Sequence, residues 1–453
     1  MKHSRYLLIL FIANVCFTGI YGQNSEILES YVQAGISSNL ALKQQDADLR
    51  KAQESIRQAK ALFLPQLAFE ANYTVAAGGR RIDFPIGDLL NPVYGTLNQI
   101  TQTNQFPTLE NQQIQFLPNN FHETKVSFSY PLYNSDLRYN KEIQNLLYQS
   151  KAAQKAAYEH ELRYQITEVY LQFLQATEGE KIWLNTKTVL QELRRFNESL
   201  VKNNVATRDV TASADYELSK ADLEIIKLRK LQNDAKSYLN FLINRDLSSE
   251  VQADTALLRT TVPAYDPKNL IAQAMEKRQE FAALRAGMQA AETDIRRNDA
   301  NSKIPDFYLG GSLGFQGFGY KFNKEQAYAL AQIGLKYDIF DGGQRKSKTQ
   351  EARLESEKAH TQYQQVQQQV ALQITTAWND LESARNAFQT SQAGQRAAEE
   401  SFRIIQNKYR ANQVLLIEYL EAQNRVTVAR LQNVLSWTDV LVKDAALRRA
   451  AGL

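Results

Sequence analysis

Two stretches without proline and almost without glycine, residues 137–202 and 343–411, constrain this chain more than any other feature. At a rise of 1.5 Å per residue, each makes a helix ~100 Å long. No compact domain of this size needs such an element. In the second stretch Tyr363, Val366, Val370, Ile374, Ala377, Leu381, Ala384 and Phe388 recur by threes and fours. That spacing of ~3.6 residues lies between the straight-helix and coiled-coil periods. Ile166, Val169, Tyr170, Phe173 and Leu174 form the same kind of seam in the first stretch. Apolar residues make up 43% of the chain, yet these tracts are dominated by Gln, Ala, Asn, Glu and Lys. Such a composition suits long helices with narrow apolar seams better than compact cores.

The chain also repeats itself. Each half reads as helix, strand, loop, strand, very long helix, turn, helix. Residues 23–248 form the first repeat, with a helix over 25–62, strands at about 66–76 and 122–133, the long helix 137–202 and a helix over 208–247. A linker over 249–266 leads to the second repeat, 267–453. There Asp266 and Pro267 supply an N-cap and a first-turn proline for a helix over 268–301. Strands follow at about 305–316 and 328–341, then the long helix 343–411 and a helix over 415–449.

In all four strands every second residue is apolar or aromatic. Leu67, Phe69, Ala71 and Tyr73 alternate with Gln66, Ala68, Glu70 and Asn72, and Val126, Phe128 and Tyr130 alternate with Lys125, Ser127 and Ser129. Phe307, Leu309, Leu313 and Phe315, then Ile333, Leu335, Tyr337 and Ile339, do the same in the second half. One such strand fits a half-buried position in a soluble sandwich. Four, each ~9 to 11 residues and long enough to cross a bilayer at a tilt, fit a membrane barrel with a wet interior. Four strands cannot close around a lumen whereas 12 can, so the arithmetic points to a trimer.

The N-terminus gives the compartment. Lys2 and Arg5 precede an apolar run from Tyr6 to Ala13, with small residues at Thr18, Gly19 and Gly22. This reads as a secretory signal peptide over residues 1–22, cleaved before Gln23. A membrane anchor needs ~20 apolar residues, and Asn14 and Thr18 interrupt the run. Cys16, the single cysteine, falls in that segment, so the mature chain has no thiol for a disulfide, a metal site or a nucleophile. Acylation of Cys16 is the rival reading, for which Asn14 and Val15 are poor neighbours. The net charge of +4 falls by two with Lys2 and Arg5. No basic cluster with interleaved aromatics points to nucleic acid.

The order of these segments resembles the TolC family of outer-membrane export proteins, over essentially the whole mature chain. The resemblance is carried by residues 61–69 with Leu64-Pro65-Gln66-Leu67, by Tyr337-Asp338-Ile339-Phe340-Asp341-Gly342-Gly343, and by the helix-turn segments 203–214 and 409–422. No single segment is diagnostic; the specific feature is their order, repeated across two halves. The resemblance implies an α+β membrane protein: a homotrimer whose 12-stranded outer-membrane β-barrel, four strands per protomer, continues into a long periplasmic α-helical coiled-coil barrel. It implies docking to a periplasmic adaptor and an inner-membrane pump, in a tripartite efflux or type I secretion system. One departure is the first external loop, residues 76–121, far longer than its counterpart 316–326. Surface decoration, a constriction plug and a phage or antibody target are the readings open for it.

The same resemblance assigns residues at the periplasmic tip. The family has glycine in each turn after a long helix; here Asn203 and Asn412 stand there, the next best residue for a left-handed backbone angle. Glu418 and Glu421 fall where the family carries paired aspartates lining the closed mouth, and their spacing by three puts them on one helical face. Threefold symmetry would stack them as two rings of carboxylates attracting cations. The plainer reading is that of favourable acids in the first turns of a helix. Asp209 and Tyr409 match positions that hydrogen-bond across helices to keep the entrance shut. The family pattern has arginine at Val414 and threonine at Arg208, so the latch differs in detail here, with Arg208 expected to pair with a neighbouring carboxylate. Asp209 also reads as an ordinary first-turn acid after Thr207.

No enzyme signature emerges. His3, His122, His160 and His360 are scattered, with no spacing that would gather them on a metal, and Asp341-Gly342-Gly343 reads as a strand-to-helix turn. No catalytic residue, cofactor or metal is expected. The competing class is a trimeric outer-membrane coiled-coil adhesin or structural protein. That architecture carries its anchor at the C-terminus, whereas these strands sit inside both halves.

Overall fold

The computed structural model describes residues 25–453; the expected signal segment and Cys16 lie outside them. In chain order the elements are α1 (Glu26–Ser38), α2 (Leu40–Ala61), β1 (Gln66–Thr74), β2 (Arg81–Phe84), α3 (Ile86–Thr101), β3 (Gln112–Gln115), β4 (Phe121–Tyr133), α4 (Ser135–Lys202) and α5 (Asp209–Leu242). After a 3-10 turn at Thr255–Arg259 come α6 (Pro267–Lys277), α7 (Gln279–Lys303), β5 (Asp306–Phe318), β6 (Ala327–Lys336), α8 (Gln344–Arg410) and α9 (Leu416–Ala451). Both long helices are present, α4 with 68 residues and α8 with 67. Among the described residues no helix is long and apolar enough to cross a membrane.

The chain divides into two compact units, each drawn from both halves of the sequence. The first comprises residues up to Gln53, Leu146–Gln289 and Glu357–Leu453, and is helical. Its core is the expected seams: Ile166, Val169, Tyr170, Phe173 and Leu174 are buried against Val32, Leu239 and Leu242, and Val370, Ile374, Leu381 and Ala384 against Phe281, Val440 and Leu447.

Two helices expected to run unbroken are each split by one extended residue. Asn39 (ψ 129°) separates α1 from α2, and Arg278 (ψ 130°) separates α6 from α7. Long-range partners hold both breaks. Asn39 Oδ1 accepts from Leu42 N, restarting the helix, while its Nδ2 donates to Leu242 O at 2.8 Å. Arg278 Nη1 donates to Ala450 O at 3.0 Å. Each break therefore satisfies a carbonyl at the C-terminus of a later helix, α5 or α9, where intrahelical donors run out.

The linker of residues 249–266 is strapped down. Tyr170 Oη donates to Gln252 O (3.0 Å) and accepts from Asp254 N (2.9 Å). Tyr265 Oη donates to Asp444 Oδ1 (2.7 Å) and accepts from Arg448 Nε (3.1 Å). Burial pushes both phenols up to about 12, and it pushes the Asp444 carboxyl up as well, against the Arg448 charge.

The second unit, Glu54–Asn145 and Ala290–Ser356, contains an antiparallel sheet in the order β1-β4-β5-β6. Its register aligns Leu67, Phe128, Gly311 and Ala331 across four strands, and Phe69, Val126, Leu313 and Ala329 in the next row but one. Side chains alternate faces along a strand, so the apolar residues of all four strands share one face. Leu67, Phe69 and Ile333 on it are more than 70% exposed. The other face carries Glu70, Ser127, Ser129, Ser312 and Gln332. Within the chain, β1 and β6 each leave one edge without a strand partner.

The last strand stops at Lys336, not at 341. Its partner β5 begins at Asp306, opposite Lys336, and Pro305 before it has no N–H to extend the ladder. Beyond, Gly342 and Gly343 take positive φ of 65° and 88°, and the Asp341 carboxylate accepts from Gly343 N and Arg345 N to start α8. The long external segment is folded: β2 and β3 pair as a stem beneath α3.

Candidate functional site

The turns that follow α4 and α8 close by one geometry. Asn204 N–H donates to Val201 O at 3.0 Å and Val205 N–H to Leu200 O at 2.9 Å. After α8, Asn412 N–H donates to Tyr409 O and Gln413 N–H to Lys408 O, both at 2.9 Å. This is the helix-ending motif in which the residue before the closing donor turns left-handed. Asn412 does so, at φ 55°, as expected. In the first turn the left-handed residue is Asn204, at φ 57°, and not Asn203. Asn203 still donates to Ser199 O within the helix, one step before the chain reverses.

Aromatic packing holds these turns together. Trp183, Leu190 and Leu193 of α4, Ala221 and Ile225 of α5, Tyr409 of α8 and Tyr419 of α9 form one buried cluster. The Tyr409 and Tyr419 rings lie 5.1 Å apart, and Phe196 meets Tyr409 edge-on at 5.9 Å. Tyr409 Oη donates to Asn197 Oδ1 at 2.8 Å, and Asn197 Nδ2 donates to Val210 O at 3.0 Å. Three helices are joined by that chain of two bonds. Burial pushes the Tyr409 and Tyr419 hydroxyls up, so the Tyr409 hydroxyl stays a protonated donor. Farther along, Thr186 Oγ1 meets Thr427 Oγ1 at 2.9 Å, tying α4 to α9.

The other expected residues lie at the surface. Asp209, at the start of α5, accepts from Thr207 Oγ1 two residues earlier, the local bond of a first-turn acid. Arg208 takes the N-cap position, its carbonyl accepting from Thr211 Oγ1. Within the chain, no carboxylate among the described residues pairs with it. Glu418 Oε1 accepts from Leu415 N at 3.1 Å, holding the first turn of α9. Both Glu418 and Glu421 are exposed. No group of acids, histidines or cysteines among the described residues is arranged to hold a metal.

Asn197 and Thr186 escaped the sequence reading, though a signal was there. Residues 183, 186, 190, 193 and 197 step by threes and fours, and a polar side chain on such a seam needs a buried partner. A second polar group lies on the sheet: Lys125 Nζ is 3.0 Å from Glu123 and 3.4 Å from Glu70, on the face opposite Phe128.

Comparison with known proteins gives a consistent pattern. Residues 270–453 match the family model described as outer membrane efflux protein. The outer membrane efflux protein BepC of Brucella suis is 26% identical over 120 residues, a match spanning 26% of each chain. Among solved structures, CusC superposes with a TM-score of 0.75 at 15% identity, over 96% of this chain and 95% of the other. VceC of Vibrio cholerae gives 0.73 at 17% identity, over 94% and 96%. The open state of the Neisseria gonorrhoeae channel MtrE gives 0.72 at 17%, over 94% and 89%.

Proposed function

We infer that this chain functions as its similarities suggest, from the match of residues 270–453 to the family model described as outer membrane efflux protein and from a fold shared with outer-membrane channels. It is the outer-membrane channel of a tripartite efflux or type I secretion system, a passive duct and not an enzyme. One observation carries the reading. A four-stranded sheet with a continuous apolar face, a polar opposite face and two open edges is a template for edge-to-edge pairing between copies. Three copies give 12 strands, lipid outside and water inside. Each half of the chain supplies two of its protomer's strands, and the helical unit forms the periplasmic part.

At the tip, Tyr409 with Asn197 acts as the latch, and Asp209 with Arg208 lies at its rim. The turns at Asn203, Asn204 and Asn412 dock the periplasmic adaptor, which connects to an inner-membrane pump. Glu418 and Glu421 line the mouth as two carboxylate rings. The mature protein reconstituted in planar bilayers should form a trimer with stepwise conductance. Recovery as a soluble periplasmic monomer, or a trimer with no conductance, would overturn the reading.

A further inference from the structure

Resting on the trimeric channel reading, we propose that residues 76–120 close the outer mouth as a self-associating plug, in which α3 of each copy packs its apolar face against α3 of the other two. The motivation is how α3 is held. Asn91 makes a reciprocal pair with the backbone of Leu109, donating to its carbonyl at 2.9 Å and accepting from its N–H at 2.8 Å. Asn98 makes the same pair with Phe106, at 2.8 and 3.1 Å. Asn111 closes a third rung with Asp88, donating to the carboxylate at 2.9 Å and accepting from its N–H at 3.1 Å. Residues 88, 91 and 98 share one helical face, so the returning segment is bound along that face and cannot cover the other.

The face left open is apolar. Leu89, Val93 and Ile100 project from it, 69%, 51% and 74% exposed. An apolar stripe that is fixed in place and bare is a contact surface in want of a partner. Two features select a second copy as its occupant. The lobe connects edge strand β1 to β4; in the trimer of the channel reading the open edge of β1 pairs with β6 of the next copy, so each lobe rises beside a junction between copies. The polar face of α3 also carries no lysine or arginine; its one charge is Asp88. Helices that lie on lipid headgroups have basic polar faces, whereas this one suits contact with its own neutral equivalent.

Disulfide trapping tests this, with Cys16→Ser as background. Val93→Cys should cross-link subunits in pairs when outer membranes are oxidised, because a disulfide needs Cα atoms within about 7 Å. Gly95→Cys should not, since position 95 lies on the side of α3 that carries Asp88 and Asn91; an added Cβ meets no atom within 4 Å there, so the variant should fold. Val93→Asp combined with Ile100→Asp should raise single-channel conductance at least twofold. If Val93→Cys stays uncross-linked while the protein remains a conducting trimer, the plug is wrong and the channel reading stands. Labelling of Val93→Cys by a bilayer-soluble maleimide would assign the face to lipid and likewise overturn the plug. Absence of trimer and conductance in the parent would sink the channel reading itself.

Discussion

Tyr409 of α8 and Asn197 of α4 are joined by a 2.8 Å hydrogen bond inside the aromatic cluster at the helix turns. The pair connects residues more than two hundred positions apart. Because Asn197 also holds Val210 O, the bond fixes the start of α5 against the end of α8.

Tyr409→Phe keeps the ring packing and removes only the donor, leaving Asn197 Oδ1 buried without a partner. The expected cost is ~1–2 kcal/mol, enough to raise an open population roughly five- to thirtyfold. Single-channel recordings should show higher or more frequent conductance, and Asn197→Leu should behave alike. Recordings indistinguishable from the parent would place the latch elsewhere.

Replacing Glu418 and Glu421 together with Gln should abolish cation preference and block by trivalent ions. The amide oxygen introduced at position 418 would still accept from Leu415 N, so the first turn of α9 and trimer stability should hold. The charges act at short range in a narrow opening, where salt screens them weakly. Unchanged selectivity and block would reduce both acids to helix-start residues.

The strand faces predict an asymmetry. Phe128→Arg or Leu313→Arg should impair membrane assembly, since both lie in the middle of their strands on the apolar face and arginine facing lipid at mid-bilayer costs roughly 2 to 4 kcal/mol. Lys336→Asp or Ser127→Asp, on the polar face, should assemble normally. Heat-modifiable mobility of the trimer on gels reads the difference; equal tolerance would contradict the barrel.

Alkaline stability should depend on the linker straps. Tyr170 and Tyr265 are raised in the fold to about 12, above the ordinary phenol value of ~10. Their contribution is therefore complete below pH ~10 and is lost as pH rises toward 12. Tyr170→Phe should flatten that alkaline decline. At neutral pH it should cost ~1–3 kcal/mol, because Asp254 N–H loses its acceptor. An alkaline melting profile parallel to the parent's would show that the strap does not carry the pH dependence.

Local periodicity determined much of this protein before any fold was known. The three-four seams of 166–174 and 363–388 require long helices, and the two-residue alternation around Leu67, Phe128, Leu309 and Ile333 requires strands with one apolar face. Both patterns are written in neighbours a few positions apart, and the turn at Asn412 belongs with them. Tertiary structure decided what depends on distant partners. Nothing near Asn39 or Arg278 announces a helix break, because the carbonyls they satisfy, Leu242 O and Ala450 O, belong to later helices. Between Asn203 and Asn204 the residue type is identical, so only the bond from Val205 N to Leu200 O chooses which turns left-handed. The Asn91 and Asn98 rungs are likewise invisible in a segment that reads as loop, since a side-chain amide shows its partner only once the chain has returned to it.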